Sequence, residues 1–329
     1  MSEWKEYKLE DIIGTFIDYR GKTPKKSDSG IPLVTAKVVK SGKILSPNEF
    51  LSENEYENWM TRGYPKKNDV VLTTEAPLGE VALVKDNKIA LAQRIITMRG
   101  NPNMVSNVFL KYYLQSNQGQ YELHSRASGT TVFGIKASAL RQLPVLLPEL
   151  IEQKAIAEVL SSLDDKIDLL HRQNQTLEQL AETVFRQWFV EEADESWEEV
   201  ELGDFVFTNI SSINKDYSFK EIEYLDTGSL TRGEWSKLQP FPLGKAPSRA
   251  KRLVKHNDIL YSTVRPNQLH YGIVRNPKED LVVSTGFCVI SCNSISPYFV
   301  YYLLTQKEMT EYLHSVAEGS TSAYPSLKP

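Results

Sequence analysis

Arginine, asparagine, glutamine and histidine stand together in the run Arg265-Pro-Asn267-Gln268-Leu-His270-Tyr271, and another arginine, Arg94, lies in Ala-Gln-Arg-Ile-Ile. Fork-shaped and amide side chains of this kind can meet the edges of nucleic-acid bases with two hydrogen bonds at once, which is recognition chemistry and not bond-breaking chemistry. Lys22, Lys25 and Lys26 fall in a Gly/Pro/Ser-rich stretch, and Arg249, Lys251 and Arg252 form the strongest basic cluster of the later sequence. Such cations suit phosphates, which fix position without reading sequence. The triplets Gly129-Thr130-Thr131 and Gly319-Ser320-Thr321 add small hydroxyl side chains beside a glycine, able to approach a backbone closely. An uninvolved surface position is the plain alternative for any one of these residues.

Residues for catalysis are harder to find. The chain has no Gly-rich phosphate loop ending in Lys-Ser/Thr, no G-x-G-x-x-G after a strand, no His/Cys metal spacing and no Asn-Pro-Pro-aromatic run. Its five histidines, His124, His171, His256, His270 and His314, are scattered. Cys288 and Cys292 fall four apart on one face of an apparent strand and read as buried thiols, too few for a disulfide framework.

The formal net charge of -4 looks unfavourable for a polyanion until it is divided along the chain. Residues 1–147 carry 20 Lys+Arg against 15 Asp+Glu, residues 148–200 carry 4 against 14, and residues 201–329 carry 14 against 13. The acid is concentrated in the middle, so both flanks can present positive surface, and local surface is what a phosphate backbone meets. With 329 residues there is room for two cores and a connector. No apolar run reaches membrane-spanning length and no charged-then-apolar leader follows Met1, from which a cytoplasmic protein with no membrane partner is expected.

The elements that must position these residues come in a repeated order. Short β-rich runs at Ile31–Thr35, Val70–Thr73, Val81–Val84 and Arg94–Met98 are punctuated by Gly and Pro, and a helical stretch at Val108–Leu114 follows. The later sequence runs through the same landmarks. WKEYKLED at 4–11 recurs as WEEVELGD at 197–204, and KKNDVVLTTEAP at 66–77 recurs as KHNDILYSTVRP at 255–266. FLKYYL at 109–114 recurs as YFVYYL at 298–303, and Gly129-Thr-Thr as Gly319-Ser-Thr. The offsets of 193, 189, 189 and 190 are too consistent for chance, which predicts two copies of one scaffold with different surfaces.

Between the copies lies an uninterrupted helical stretch, 148–190. Ile156, Leu160, Leu163, Ile167, Leu170, Asn174, Leu177, Ala181, Val184 and Trp188 alternate spacings of four and three without a slip, a heptad seam with one polar member. At 1.5 Å per residue the helix would be about 60 Å long. The seam asks for a facing helix; packing against the chain's own domains is the alternative. The expected fold is therefore α+β, with two similar α/β domains, 1–147 and 193–329, joined by a long coiled-coil helix over 148–192.

Taken in order, the Trp-x-x-x-x-Leu-x-Asp opening, the N-D-[IV]-[IL] strand, the Gly-[ST]-Thr loop and Leu143-Pro-Val-Leu-Leu-Pro148 running into Glu152-Gln153-Lys-Ala-Ile156-Ala resemble the specificity subunit of type I restriction-modification systems. The likeness covers essentially the whole chain. It implies a non-catalytic subunit in which each globular segment is a target recognition domain reading one half of a split site in double-stranded DNA. It also implies that the helix is a spacer that docks methyltransferase (modification) subunits, with a restriction subunit as a further partner. S-adenosylmethionine, ATP and Mg are expected only in those partners, and no cofactor or metal in this chain. One departure stands out: the family pattern has a second long helix after the second domain, whereas this sequence stops at Pro329. Either the polypeptide is shortened or only part of it is present in this sequence; if it is shortened, the seam lacks its intramolecular partner, and pairing with a second coil-supplying chain is expected. A coiled-coil interaction scaffold without DNA binding is the competing function.

Overall fold

The structure, a computed structural model, describes residues 3–86, 88–129, 132–236, 238–318 and 326–327. Thr130, Thr131, Ser320 and Thr321 lie outside the described residues. The chain is α+β and divides into two compact units, Met1–Arg172 and Gln173–Pro329. The boundary between the units falls within the long helix.

The first unit is built on strands β1 (Ile13–Asp18), β2 (Ile31–Val34), β3 (Val70–Thr74), β4 (Leu78–Leu83), β5 (Ala90–Leu91) and β6 (Ile95–Gly100), followed by helices α1 (Asn107–Gln115) and α2 (Asn117–Ser125). Four strands form an antiparallel sheet in the order β1-β6-β3-β4. All five residues of β3 are buried, because the sheet is covered on both faces. Val70 and Leu72 pack with Phe109, Leu110 and Leu114 of α1, while Val71 packs with Ile31, Leu33 and Trp59 on the other side. A strand buried twice over reads as a continuous apolar run, as Val70-Val-Leu72 does.

Helix α3, Leu150–Arg186, has 37 residues and ends in one π turn, Gln187–Glu191. At its start the Gln153 side chain, 1% exposed, ties three backbone groups together. Its amide donates to the carbonyls of Met104 and Pro148, each at 3.0 Å, and its Oε1 accepts from Ser106 N at 3.0 Å. This side chain satisfies two carbonyls and an N–H where the chain enters the helix, which gives the glutamine of the Glu152-Gln153 signature a physical reason.

The second unit comprises β7 (Val206–Thr208), β8 (Glu221–Leu225), β9 (Ala250–Leu253), β10 (Ile259–Ser262), β11 (Tyr271–Ile273), β12 (Leu281–Ser284) and β13 (Phe287–Cys292), then α4 (Pro297–Thr305) and α5 (Lys307–Glu318). Its first sheet runs β7-β13-β10-β11, the order of the first unit element for element. The registers agree as well: Ile95 faces Thr73 as Phe287 faces Ser262, and Met98 faces Phe16 as Ile290 faces Thr208. Even the parallel pair recurs, Leu33 against Ala90 and Tyr224 against Val282.

The shared Asn-Asp signature has a structural cause. Asn68 and Asn257 both adopt left-handed backbone, φ 67° and 71°, which asparagine tolerates better than most residues. The buried Asp69 and Asp258 then accept, through Oδ2, the backbone N–H of Lys66 and of Lys255, each at 2.8 Å. Sequence landmarks at the predicted offsets therefore mark the same turn, and the two units are copies of one design.

Candidate nucleic-acid interface

In the first unit the ends of β3 and β6 open into a cleft of about 530 Å³. Thr74 N donates to Arg94 O at 3.0 Å where the two strands part, and Ile135 N donates to Thr74 O at 2.9 Å, bringing a later loop alongside. That loop is closed at its neck by Ser128 and Gly134, which exchange backbone hydrogen bonds of 2.9 and 3.0 Å. Gly129 has φ 125°, and a Cβ there would lie 2.1 Å from the Val132 carbonyl oxygen, so the glycine of the Gly-Thr-Thr triplet is required by the tight closure.

The cleft joins residues that are far apart in sequence. Arg94 is exposed and its Nε lies 3.0 Å from Glu75 Oε1. Gln93 beside it accepts a 3.1 Å hydrogen bond from Thr23 Oγ1, so the amide is oriented by the loop that carries Lys22, Lys25 and Lys26. All three lysines are exposed; Lys26 pairs with Glu49 at 2.9 Å, a surface contact that a phosphate can replace. Arg20 serves the scaffold: it grips Asp18 through Nε and Nη2 and donates from Nη1 to Ile135 O at 3.1 Å, holding the loop to the sheet. A smaller recess of about 210 Å³ adjoins, lined by Ala76, Gln93, Arg94 and Lys37.

In the second unit the corresponding strand ends carry the other candidates. Thr263 N donates to Gly286 O at 2.9 Å, as Thr74 does to Arg94, and Leu327 N donates to Thr263 O at 2.8 Å, as Ile135 does to Thr74. Thr285 N donates to Arg249 O at 2.8 Å, which brings Arg249 to the same end as the Arg265 turn. Arg249 and Lys251 are exposed and Arg252 is half-buried on the edge strand β9. Arg265, Asn267 and Gln268 are exposed on a 3-10 turn, Arg265 with φ 49°.

Two candidates are placed otherwise than the sequence suggests. Tyr271 is not on the exposed loop: it is 5% exposed in β11, stacked on Tyr261 at 5.8 Å and edge-on to Tyr301 at 5.9 Å. His270 is half-buried, with Nδ1 2.7 Å from the Leu230 carbonyl, to which it must donate, so it fastens the turn. The strand resumes earlier than the Pro-Asn-Gln run suggests. Conversely, Arg20, Gln93 and Lys136 join the first cleft and Lys37 the adjoining recess although sequence reasoning misses them; only Gln93, next to Arg94, has a local signal.

Of the helix seam, Ile156, Leu160, Ala181 and Val184 are half-buried, whereas Leu163, Ile167, Leu170, Asn174, Leu177 and Trp188 are exposed. The face that docks mixes apolar and polar side chains. Asp164 Oδ2 accepts from Lys111 Nζ and from the Tyr112 hydroxyl, each at 2.7 Å, and Lys43 pairs with Asp168. In the second unit Tyr301 donates to Glu178 Oε1 at 3.2 Å, and Phe185, 5% exposed, packs 5.3 Å from Phe299 and 6.0 Å from Tyr302. The cysteines stand apart from any site. Burial pushes the Cys288 thiol up to about 11 and raises Cys292 as well. Among the described residues no group of three or more His, Cys, Asp and Glu side chains could hold a metal, and no helix is long and apolar enough to cross a membrane.

A duplicated mixed scaffold with cationic strand ends and a long shared helix defines a class, and the family comparison identifies it: residues 1–179 match the type I restriction modification DNA specificity domain, and the chain belongs to that family. Among its relatives, the type I restriction enzyme HindI specificity subunit of Haemophilus influenzae is 32% identical over 133 residues, 40% of this chain and 29% of that protein. The MjaIX specificity subunit of Methanocaldococcus jannaschii is 28% identical over 173 residues, 47% of this chain and 39% of that protein. These matches span well under half of each relative. The MjaVIII specificity subunit of the same organism aligns more fully, 22% identical over 342 residues, 95% of this chain and 78% of that protein. The crystal structure of a type I restriction-modification S subunit from M. genitalium shares the fold, with a TM-score of 0.55 at 16% identity over 98% of this chain and 82% of that one.

Proposed function

We propose that the chain is the non-catalytic DNA-specificity subunit of a type I restriction-modification complex, each unit reading one half of a split site in double-stranded DNA. The observation that carries this reading is the repetition of one sheet order and register in two units whose strand ends bear different sets of Arg, Lys, Asn and Gln. One scaffold presented twice with altered surface chemistry suits two different short targets. Lysines 22, 25 and 26 and the Arg249–Arg252 cluster hold phosphates; Arg94, Arg265, Asn267 and Gln268 are the readers. Helix α3 sets the gap between the half-sites.

Bond-breaking and methyl transfer belong to partner subunits, together with S-adenosylmethionine, ATP and Mg. The exposed stripe of Leu163, Ile167, Leu170 and Leu177 takes a facing helix, supplied by a partner or another chain, since apolar side chains at this density along one line are seldom left to water. The assembly acts in the cytoplasm, where its DNA is. A salt-titrated gel shift tests the reading. A subset of duplexes must stay bound at salt that strips nonspecific DNA; equal release of all duplexes would support the scaffold function instead.

A further inference from the structure

The two units each place one arginine at the same corner of the sheet, but from opposite strands. In the first unit Arg94 immediately precedes β6 and faces Thr74, and the residue two beyond Thr74, just ahead of Pro77, is Ala76. In the second, the residue preceding β13 is Gly286, and the one ahead of Pro266 at the end of β10 is Arg265. The positions correspond by register, since Thr74 N to Arg94 O and Thr263 N to Gly286 O are the same hydrogen bond in the two copies. Ala76 and Arg94 also line one recess, so these positions are neighbours in space. The acid that accompanies Arg94 changes in step: Glu75 in the first unit is Val264 in the second.

Neither arginine is needed to build the sheet. The Arg94–Glu75 pair is half-exposed on both sides and such pairs add little to a fold. The second unit keeps the same strand register with glycine and valine in their places. Arg265 sits in left-handed backbone, φ 49°, immediately before Pro266, just as Ala76 does, φ 48°, before Pro77, so this turn belongs to the scaffold of both copies and needs no arginine. What differs is the side chain the corner presents: an exposed arginine stands there in each copy, from one strand in the first and from the facing strand in the second, which points to use by a ligand. The planar fork of arginine matches guanine O6 and N7, the commonest specific contact in the major groove.

We infer that Arg94 and Arg265 are equivalent specificity-determining residues, each contacting a guanine in its own half-site from opposite sides of one duplicated strand pair. This rests on the DNA-reading function proposed above and adds which residue and which base carry it. The test is selection from a randomised duplex library by the full chain, alone and reconstituted with methyltransferase subunits, using wild type, Arg94→Ala, Arg94→Lys, Arg265→Ala and Arg265→Lys. Each Ala variant should lose its preference for guanine by about 5- to 140-fold at one position of one half-site and leave the other half intact. Lysine keeps the charge but not the fork, so it should restore overall binding without the preference. Because both side chains are exposed, each variant should still fold, which a thermal melt checks. An unchanged motif, a loss in both halves, or a uniform loss over all sequences with a shallower salt dependence would overturn the inference while leaving the DNA-reading function standing. A wild-type chain that selects no motif would overturn both.

Discussion

Lys111 Nζ and Asp164 Oδ2 lie 2.7 Å apart, the lysine buried and the aspartate half-exposed, and this pair fastens the first half of the long helix to its unit. Removing the carboxylate strands a buried ammonium. Asp164→Ala should therefore loosen the helix by about 1–3 kcal/mol, toward the lower end because water reaches the carboxylate. Hydrogen exchange over residues 150–172 reads the effect, and unchanged protection would mean that Gln153 and Ala157 hold the helix unaided.

The two anchors should respond to acid with opposite sign. Burial alone would raise the Asp164 carboxyl, but the Lys111 and Tyr112 hydrogen bonds outweigh it and hold it below the ordinary aspartate value. Its contribution is present above the unfolded value of 3.8 and is lost as pH falls through the folded one. Burial of Glu178 raises its carboxyl above the ordinary 4.5, more than the Tyr301 hydrogen bond lowers it. Protonation of Glu178 therefore favours the folded state, and its contribution is full below 4.5 and fades as pH rises through the folded value. Lowering pH from about 7 to about 4.5 should increase exchange protection around Glu178 and leave Asp164 unaffected; Glu178→Gln should abolish the change. A pH-independent profile in the second unit would contradict this.

The Asn-Asp turns predict a local stability effect in either copy. Asp258 is 2% exposed and accepts from Lys255 N at 2.8 Å and from the Ser291 hydroxyl at 2.7 Å. Asp258→Ala orphans both donors and should destabilise the second unit by about 1–3 kcal/mol. Limited proteolysis should then cut residues 206–292 sooner while the first unit resists, and equal susceptibility of both would show that the units do not unfold separately.

Much of this organisation is legible in the sequence, and what is missing has identifiable causes. The duplication is readable because the turns that need Asn68 and Asn257, and the buried carboxylates beside them, tolerate few substitutes, so the landmarks persist while loops diverge. The strand runs are readable because β3 is buried on both faces. The cleft is not: Arg20, Gln93 and Lys136 meet only through the Ser128–Gly134 closure and the Arg20–Ile135 contact, which no local pattern encodes. Tyr271 misleads because its polar neighbours suggest a loop, whereas β11 begins there and turns the ring inward. The helix misleads differently. Its heptad finds Ile156, Leu160, Ala181 and Val184, which are half-buried, but the helix docks as much through Gln153, Asp164 and Glu178, polar residues that periodicity does not weigh.

Phosphate-holding and base-reading residues should separate by their salt behaviour. Replacing Lys22, Lys25 and Lys26 together with alanine should weaken binding about equally for all sequences. It should also flatten the dependence of log K on log salt by about 0.9 for each phosphate no longer neutralised. Gel shifts at graded salt measure both, and a sequence-selective weakening would instead make these lysines readers.

The central proposal, two copies of one reading head joined by a helix that fixes their separation, is tested most directly by selecting randomised duplexes with the wild-type chain and with a variant carrying about seven extra residues, one heptad, within α3. Wild type should return two short specified blocks around an unspecified gap, and the lengthened chain should return the same two blocks with a wider gap. A single continuous block, or a gap that ignores the insertion, would contradict it.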